Sequence, residues 1–190
     1  MKSFKSGVIV VILIVTAGCG TSDVGIKKLP NDFRWYRDKS LNIRLGVPKQ
    51  WSVAQSLSEK QSNNTTLLEI EPGRDGVNCS VFSPQAREDK STSLKKYVKN
   101  YKSEYEQSVK TVQWTSQSRI IVNGIPSVRL ESKMNVSVGR SRKLPMKAFT
   151  FVYQDAENPP FVIQCINLER NFGQTRESFS TIMRSFRFLA

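Results

Sequence analysis

Apolar residues in this chain recur with a period of two over most of its length and with a period near 3.6 in only two places. That pattern restricts it to sheets carrying two helices. Residues 35–47 place Leu41, Ile43, Leu45 and Val47 at alternate positions, with Asn42, Arg44 and Gly46 between them, as in a strand with one buried face. Pro48 ends it. Further strands are expected at 51–53, 65–71 and 77–82, with Leu67 and Leu68 interrupting the alternation of the third. Residues 72–76 read Pro-Gly-Arg-Asp-Gly, a turn, and Pro84 stops the fourth strand.

The period then changes. Leu94, Val98, Tyr101, Tyr105 and Val112 form one stripe, with Tyr97 and Val109 beside it, while Lys95, Lys96, Lys99, Lys102 and Glu106 lie elsewhere. The spacing predicts a helix over 93–110, capped by Ser91 or Thr92 and closed near Lys110, whose charge suits the negative end. Asn123-Gly124 joins strands 118–122 and 125–133, because both residues tolerate positive φ; Pro126 then belongs on an edge or at a strand's first positions. A second hairpin pairs 147–154 with 161–168. Phe179, Ile182, Met183 and Phe186 return to helical spacing behind Thr175 as N-cap, and Phe188-Leu189-Ala190 ends the chain. Four strands, a helix, four strands and a helix give an α+β fold, a mostly antiparallel sheet packed between helices.

The first residues have another purpose. Lys2 and Lys5 precede an apolar run over 8–15, and Thr16-Ala17-Gly18 leads into Cys19. This is the pattern of a bacterial lipoprotein signal peptide over residues 1–18, with the Cys19 thiol as the point of lipid attachment. A spanning helix needs about 20 apolar residues, which rules this shorter run out as one. Gly20 after the cysteine, where an Asp would favour the inner membrane, points by resemblance to that sorting rule to the outer membrane, facing the periplasm. Residues 19–31 are small and polar and read as a lipidated tether, able to hold the domain up to roughly 40 Å from the bilayer. Residues 32–190 form a single domain.

The chain carries a formal net charge of +13, and loss of Lys2 and Lys5 with the leader lowers it by two. In an exported protein such charge implies an anionic surface or envelope partner in place of nucleic acid. With Cys19 lipidated, Cys79 and Cys165 remain. Val77, Cys79 and Val81 share one strand face, as do Phe161, Ile163 and Cys165, which suits either a core disulfide or two buried thiols.

Several chemistries are excluded. The chain has no histidine, so Ser-His and Cys-His nucleophiles, histidine bases and ordinary histidine-rich zinc sites are absent. Glu69 and Glu71 would share a strand face about 7 Å apart, a spacing more typical of a solvated surface than of paired catalytic carboxylates. Asp75 and Asn78 do not make a calcium loop. The expectation is a non-enzyme without metal or cofactor. Two surface features remain: Arg140, Arg142, Lys143 and Lys147 in a long loop over 138–147, read as a partner-binding cluster, and the lysine-rich face of the first helix, read as solvated.

Trp35-Tyr36-Arg37-Asp38 followed by Ile43-Arg44-Leu45-Gly46-Val47-Pro48-Lys49-Gln50-Trp51 resembles the opening of the PsbP/DcrB-like family, with its aromatic, strand and Pro-x-x-Trp turn. Val122-Asn123-Gly124-Ile125-Pro126 is similar to that family's mid-domain hairpin, and residues 182–188 to its closing helix. The resemblance spans about residues 33–188 and implies an antiparallel sheet between helices, with function by docking to other macromolecules. The metal-associated histidines of the family's photosystem members have no counterpart here. The expected role is a membrane-anchored binding or accessory subunit of a cell-envelope complex. The alternative is a carrier or chaperone holding a lipid or apolar peptide in a sheet–helix groove.

Overall fold

The structure, a computed structural model, describes residues 21–55, 64–73, 77–84, 92–138, 142–154, 156–158 and 160–189. Cys19 and Arg140 lie outside these residues, as do Asp75 and the leader.

The chain runs β1 (Phe33–Asp38), β2 (Ile43–Pro48), β3 (Ser52–Gln55), β4 (Asn64–Glu71), β5 (Asn78–Pro84), α1 (Leu94–Ser108), β6 (Gln113–Val122), β7 (Ile125–Val138), β8 (Arg142–Tyr153) and β9 (Phe161–Leu168). A 3₁₀ turn (Glu169–Asn171), α2 (Phe172–Ser185) and β10 (Arg187–Phe188) complete it. Seven strands form an antiparallel sheet in the order β3-β4-β5-β9-β8-β7-β6, and three form a second sheet, β1-β2-β10. Side chains alternate across the larger sheet. Phe149, Phe151, Tyr153, Ile163 and Cys165 point to a core shared with α2 and β2, while Val128, Leu130, Val152 and Val162 point to α1. The larger sheet thus lies between α1 on one side and α2 with the small sheet on the other, the expected α+β arrangement.

The α2 side is the deeper core. Phe179, Ile182 and Met183 are fully buried there, and Phe186 packs 4.3 Å from the Tyr153 ring. The Tyr153 hydroxyl donates to the Met183 carbonyl at 2.6 Å, so this ring is buried without stranding its polar end. Cys79 and Cys165 face each other across β5 and β9 and are joined by a disulfide; of the two readings left open by the sequence, the bridge holds.

Several local expectations are corrected. Residues 35–47 form a hairpin in place of one strand. The Asp38 carboxylate accepts from the Ser40 amide, the Ser40 hydroxyl and the Leu41 amide, and Asn42 takes φ 57°, so the chain reverses between β1 and β2. Leu67 breaks the alternation because the β4–β5 register shifts between Thr66 and Leu68, a bulge. Ser93 caps α1, accepting from the Lys96 amide, and the helix ends at Ser108, so Lys110 and Val112 lie beyond it. The second helix starts at Phe172. Thr175 sits inside its first turn and accepts from the Asn167 side chain at 3.0 Å. The segment 138–147 is no long loop: β7 and β8 pair out to Val138↔Arg142.

Candidate functional site

Three features of the surface are organised by one strand, β7. At its start, Asn123 (φ 52°) and Gly124 (φ 84°) make the tight turn from β6 that the sequence predicts. The segment expected to hang free as a tether is bound to this turn. Asp23 forms a parallel bridge with Ile121, and its carboxylate accepts from the amides of Gly25 (2.8 Å), Asn123 (2.9 Å) and Gly124 (3.0 Å). These bonds hold the Asp23 carboxyl below its ordinary value, with Gly25 the largest cause.

Further bonds extend the clamp. The Val24 amide donates to the Ile121 carbonyl, the Ile26 amide to the Arg184 carbonyl, and the Arg187 guanidinium to the Ile26 carbonyl. The Asn123 side-chain amide donates to the carbonyls of Arg184 and Phe186, tying turn, segment and the end of α2 together. Gly25 is required here, since a Cβ on it would strike the Asn123 backbone, whereas one on Gly46 would displace the end of the Leu29 side chain that covers it. Val24 and Leu29 pack on the main core. Three residues, 20–22, separate Cys19 from the first clamped residue, four Cα steps or about 14 Å at full extension in place of 40 Å.

Beside the clamp, a groove runs between α1 and β6, the last strand of the seven-stranded sheet. Its two connected parts have volumes of about 690 and 700 Å³. Leu94, Val98, Ile121 and Val128 supply apolar wall, Lys95, Lys96, Lys99, Lys102 and Arg119 supply charge, and Thr21 lines the end next to the clamp. At the far end Glu106 accepts from the Trp114 indole at 2.7 Å, and Lys102 stands 5.2 Å over the same ring. The lysine face is therefore one wall of a cleft, which the sequence did not reveal.

At the other end of β7 lies the cluster proposed from sequence. Pairing with β6 stops at Gln113↔Lys133 and pairing with β9 stops at Met146↔Leu168. Beyond those points β7 and β8 pair only with each other; Thr111 still exchanges two bonds with the Asn135 backbone, at 2.9 and 3.0 Å, and past Asn135 they form a two-stranded ribbon. Arg142 and Lys143 are exposed on it, opposite Val138 and Ser137. Val136 and Val138 are 38% and 50% exposed and are the large hydrophobic residues left open to solvent among the described residues. Lys147 does not join them. It lies back on the body of the sheet, 3.5 Å from Glu169, which also pairs with Lys133 at 2.8 Å. Those lysines, Lys133 first, hold Glu169 below its ordinary value.

A further row of charge crosses the small sheet. Arg37 and Arg187 flank Arg44 in register, and the Arg44 guanidinium lies 4.8 Å from the Trp35 ring. Burial, then repulsion from Arg187 and Arg37, lowers the Arg44 pKa from its ordinary value. Among the described residues no helix is long and apolar enough to cross a membrane.

No family model and no curated protein matches the sequence. Solved structures do match the fold. Cyanobacterial PsbP (CyanoP) from Synechocystis sp. PCC 6803 superposes with a TM-score of 0.59 at 14% identity, covering 83% of this chain and 92% of that one. LpqN, described as involved in cell envelope biogenesis of Mycobacterium tuberculosis, superposes with a TM-score of 0.50 at 12% identity, covering 78% of this chain and 83% of that one. At such identities the likeness is one of fold, and the fold is PsbP-like.

Proposed function

We propose that this protein is a lipoprotein, anchored through Cys19, that serves as a non-catalytic binding or accessory subunit of a complex in the cell envelope, with its anchor in the outer membrane facing the periplasm. The observation that carries the reading is the polarity of β7. One end of this strand holds the segment leading to Cys19, and the other becomes a ribbon with exposed Val136, Val138, Arg142 and Lys143. Fourteen residues at about 3.3 Å each separate those ends by roughly 43 Å. Apolar residues beside cations at an exposed tip suit a partner with an apolar patch rimmed by carboxylates. LpqN, alike in fold, is described as acting in envelope biogenesis, which fits the same setting.

The test is photo-crosslinking in cells from a reactive residue at Val138, followed by purification from detergent-solubilised envelopes and mass spectrometry. One protein captured in stoichiometric amount, and lost in Val136→Glu, supports the reading. Capture of lipid alone refutes it and favours the carrier alternative. Intact mass of the extracted chain reports separately whether Cys19 carries acyl groups.

A further inference from the structure

We propose that the groove between α1 and β6 is a seat for the headgroups of anionic phospholipids, so that the α1 side of the protein is turned to the bilayer that holds its anchor. The inference rests on the lipid anchor at Cys19. It adds the face that meets the membrane and the chemistry met there.

Position is the first argument. Thr21 lines the groove, and Cys19 is two residues before it, so the lipid-bearing residue lies within about 7 Å of Thr21. Because Asp23 and Val24 are fixed to the β6–β7 turn, the four Cα steps back to Cys19 start beside this groove and reach at most about 14 Å from Asp23. Charge is the second argument. Four lysines from successive turns of α1 and Arg119 from β6 line the walls, against the single carboxylate of Glu106, which is already engaged with Trp114. Lys95, Lys96 and Lys99 are exposed on a helix with no acidic residue in its first turn. Such a cluster within a Debye length of an anionic surface is strongly attracted to it.

The shape agrees. Leu94, Val98 and Val128 line the groove beneath the cations, an apolar floor for the glycerol end of a lipid under a rim for its phosphate. The small sheet, with its exposed Lys39 and Lys49, lies across the seven-stranded sheet from α1 and faces away.

The test uses the full lipoprotein, extracted from cells and placed in nanodiscs of phosphatidylcholine alone or with phosphatidylglycerol. Lysines are acetylated briefly with a water-soluble ester and quantified by peptide mass spectrometry. Lys95, Lys96, Lys99 and Lys102 should react about fivefold more slowly in the anionic discs, while Lys39 and Lys49 are unchanged. High salt should abolish the difference. Lys95→Glu with Lys99→Glu, both at exposed positions, should remove the protection of the remaining two without altering the melting temperature.

Equal reactivity in both discs would overturn the proposal, as would protection of Lys39 and Lys49 in place of the groove. So would protection found in native envelopes and missing from purified discs, which would assign the groove to a protein. An extracted chain whose mass shows no acyl groups defeats the anchor reading and this inference together. An acylated chain with unprotected groove lysines defeats this inference alone.

Discussion

Asp23 is the point at which the segment 21–31 is fastened to the β6–β7 turn, and Asp23→Ala measures how firmly. The substitution removes three hydrogen bonds, two of them to residues 100 and 101 positions away. The carboxylate is exposed, so each bond contributes toward the low end of its range, about 0.5 kcal/mol. The three together give about 1.5 kcal/mol, a little over tenfold in the equilibrium between clamped and open segment. The loss should be local. Arg187 still reaches the Ile26 carbonyl, Leu29 still covers Gly46, and neither depends on the carboxylate.

Native-state hydrogen exchange reads this directly, because the Val24 and Ile26 amides donate to Ile121 and Arg184 only while the segment is docked. Both should exchange about tenfold faster in Asp23→Ala, with core amides such as that of Leu130 unchanged. Acid should act in the same direction. The folded-state pKa of Asp23 is below its ordinary 3.8, so its contribution is complete above that value and is lost as pH falls through the lower folded value. Unchanged exchange at Val24 and Ile26 would refute the clamp. Uniform acceleration through the core would show that Asp23 supports the whole fold.

Three further results are expected. Replacing Cys79 and Cys165 together by alanine opens a crosslink spanning 86 residues and should cost about 4–5 kcal/mol on the chain-entropy model, read from melting with and without reductant; a reductant-insensitive melt of the native protein would contradict it. Burial favours the protonated form of Asp38, but bonds from Ser40, Gln55, Leu41 and Tyr36 outweigh it and hold the pKa at about 2. Its stabilisation, about 2 kcal/mol, is present above its ordinary value and fades as pH falls from about 4 to 2, and Asp38→Asn should flatten that limb of a urea-midpoint profile. Phe186→Ala empties a fully buried site ringed by Tyr153, Phe161 and Phe188 and should cost about 3–5 kcal/mol by urea unfolding, against a near-neutral Val138→Ala at the ribbon.

The sequence announced elements wherever one face was buried. Alternation found β4, β5, β8 and β9, the 3.6-residue stripe found α1, and Asn123-Gly124 found its turn. The β1–β2 reversal was missed because its signal is polar. Asp38, Ser40 and Asn42 make the turn through side-chain bonds and one positive φ, while the apolar positions on either side keep a continuous alternation. The ends of β7 and β8 were read as loop because Gly139, Ser141 and Pro145 interrupt the apolar pattern. The ribbon is stable there through pairing to its own partner, and Pro145 is tolerated since β8 has no β9 neighbour at that point. The clamp was hidden for another reason. Asp23, Val24 and Ile26 look like tether residues because their partners, Ile121, Asn123 and Arg184, are about 100 or more positions away, beyond the reach of any local pattern. The lysines of α1 were visible, but only the fold places Arg119 and Gln117 opposite them to make a groove.

The clamp also changes what the anchor can do. A tether of twelve free residues would let the domain tumble above the bilayer and present every face in turn. On the proposed anchoring at Cys19, only residues 20–22 separate the lipid from the clamp at Asp23, and the side of the protein beside Pro126 would be held toward it. The groove runs alongside β6, because Leu94 lines it together with Ile121 and Pro126 at one end while Glu106 bonds Trp114 at the other, so α1 and β6 run antiparallel. β7 is paired to β6 throughout this stretch. A protein seated on headgroups by its groove therefore carries β7 along the membrane, and the ribbon reaches sideways near the surface, not upward. Partners of Val136 and Val138 are then to be sought among proteins that sit on or in the same membrane. Crosslinks from Val138 that fall on the membrane-proximal parts of a partner would agree with that orientation, and crosslinks confined to freely soluble proteins would contradict it.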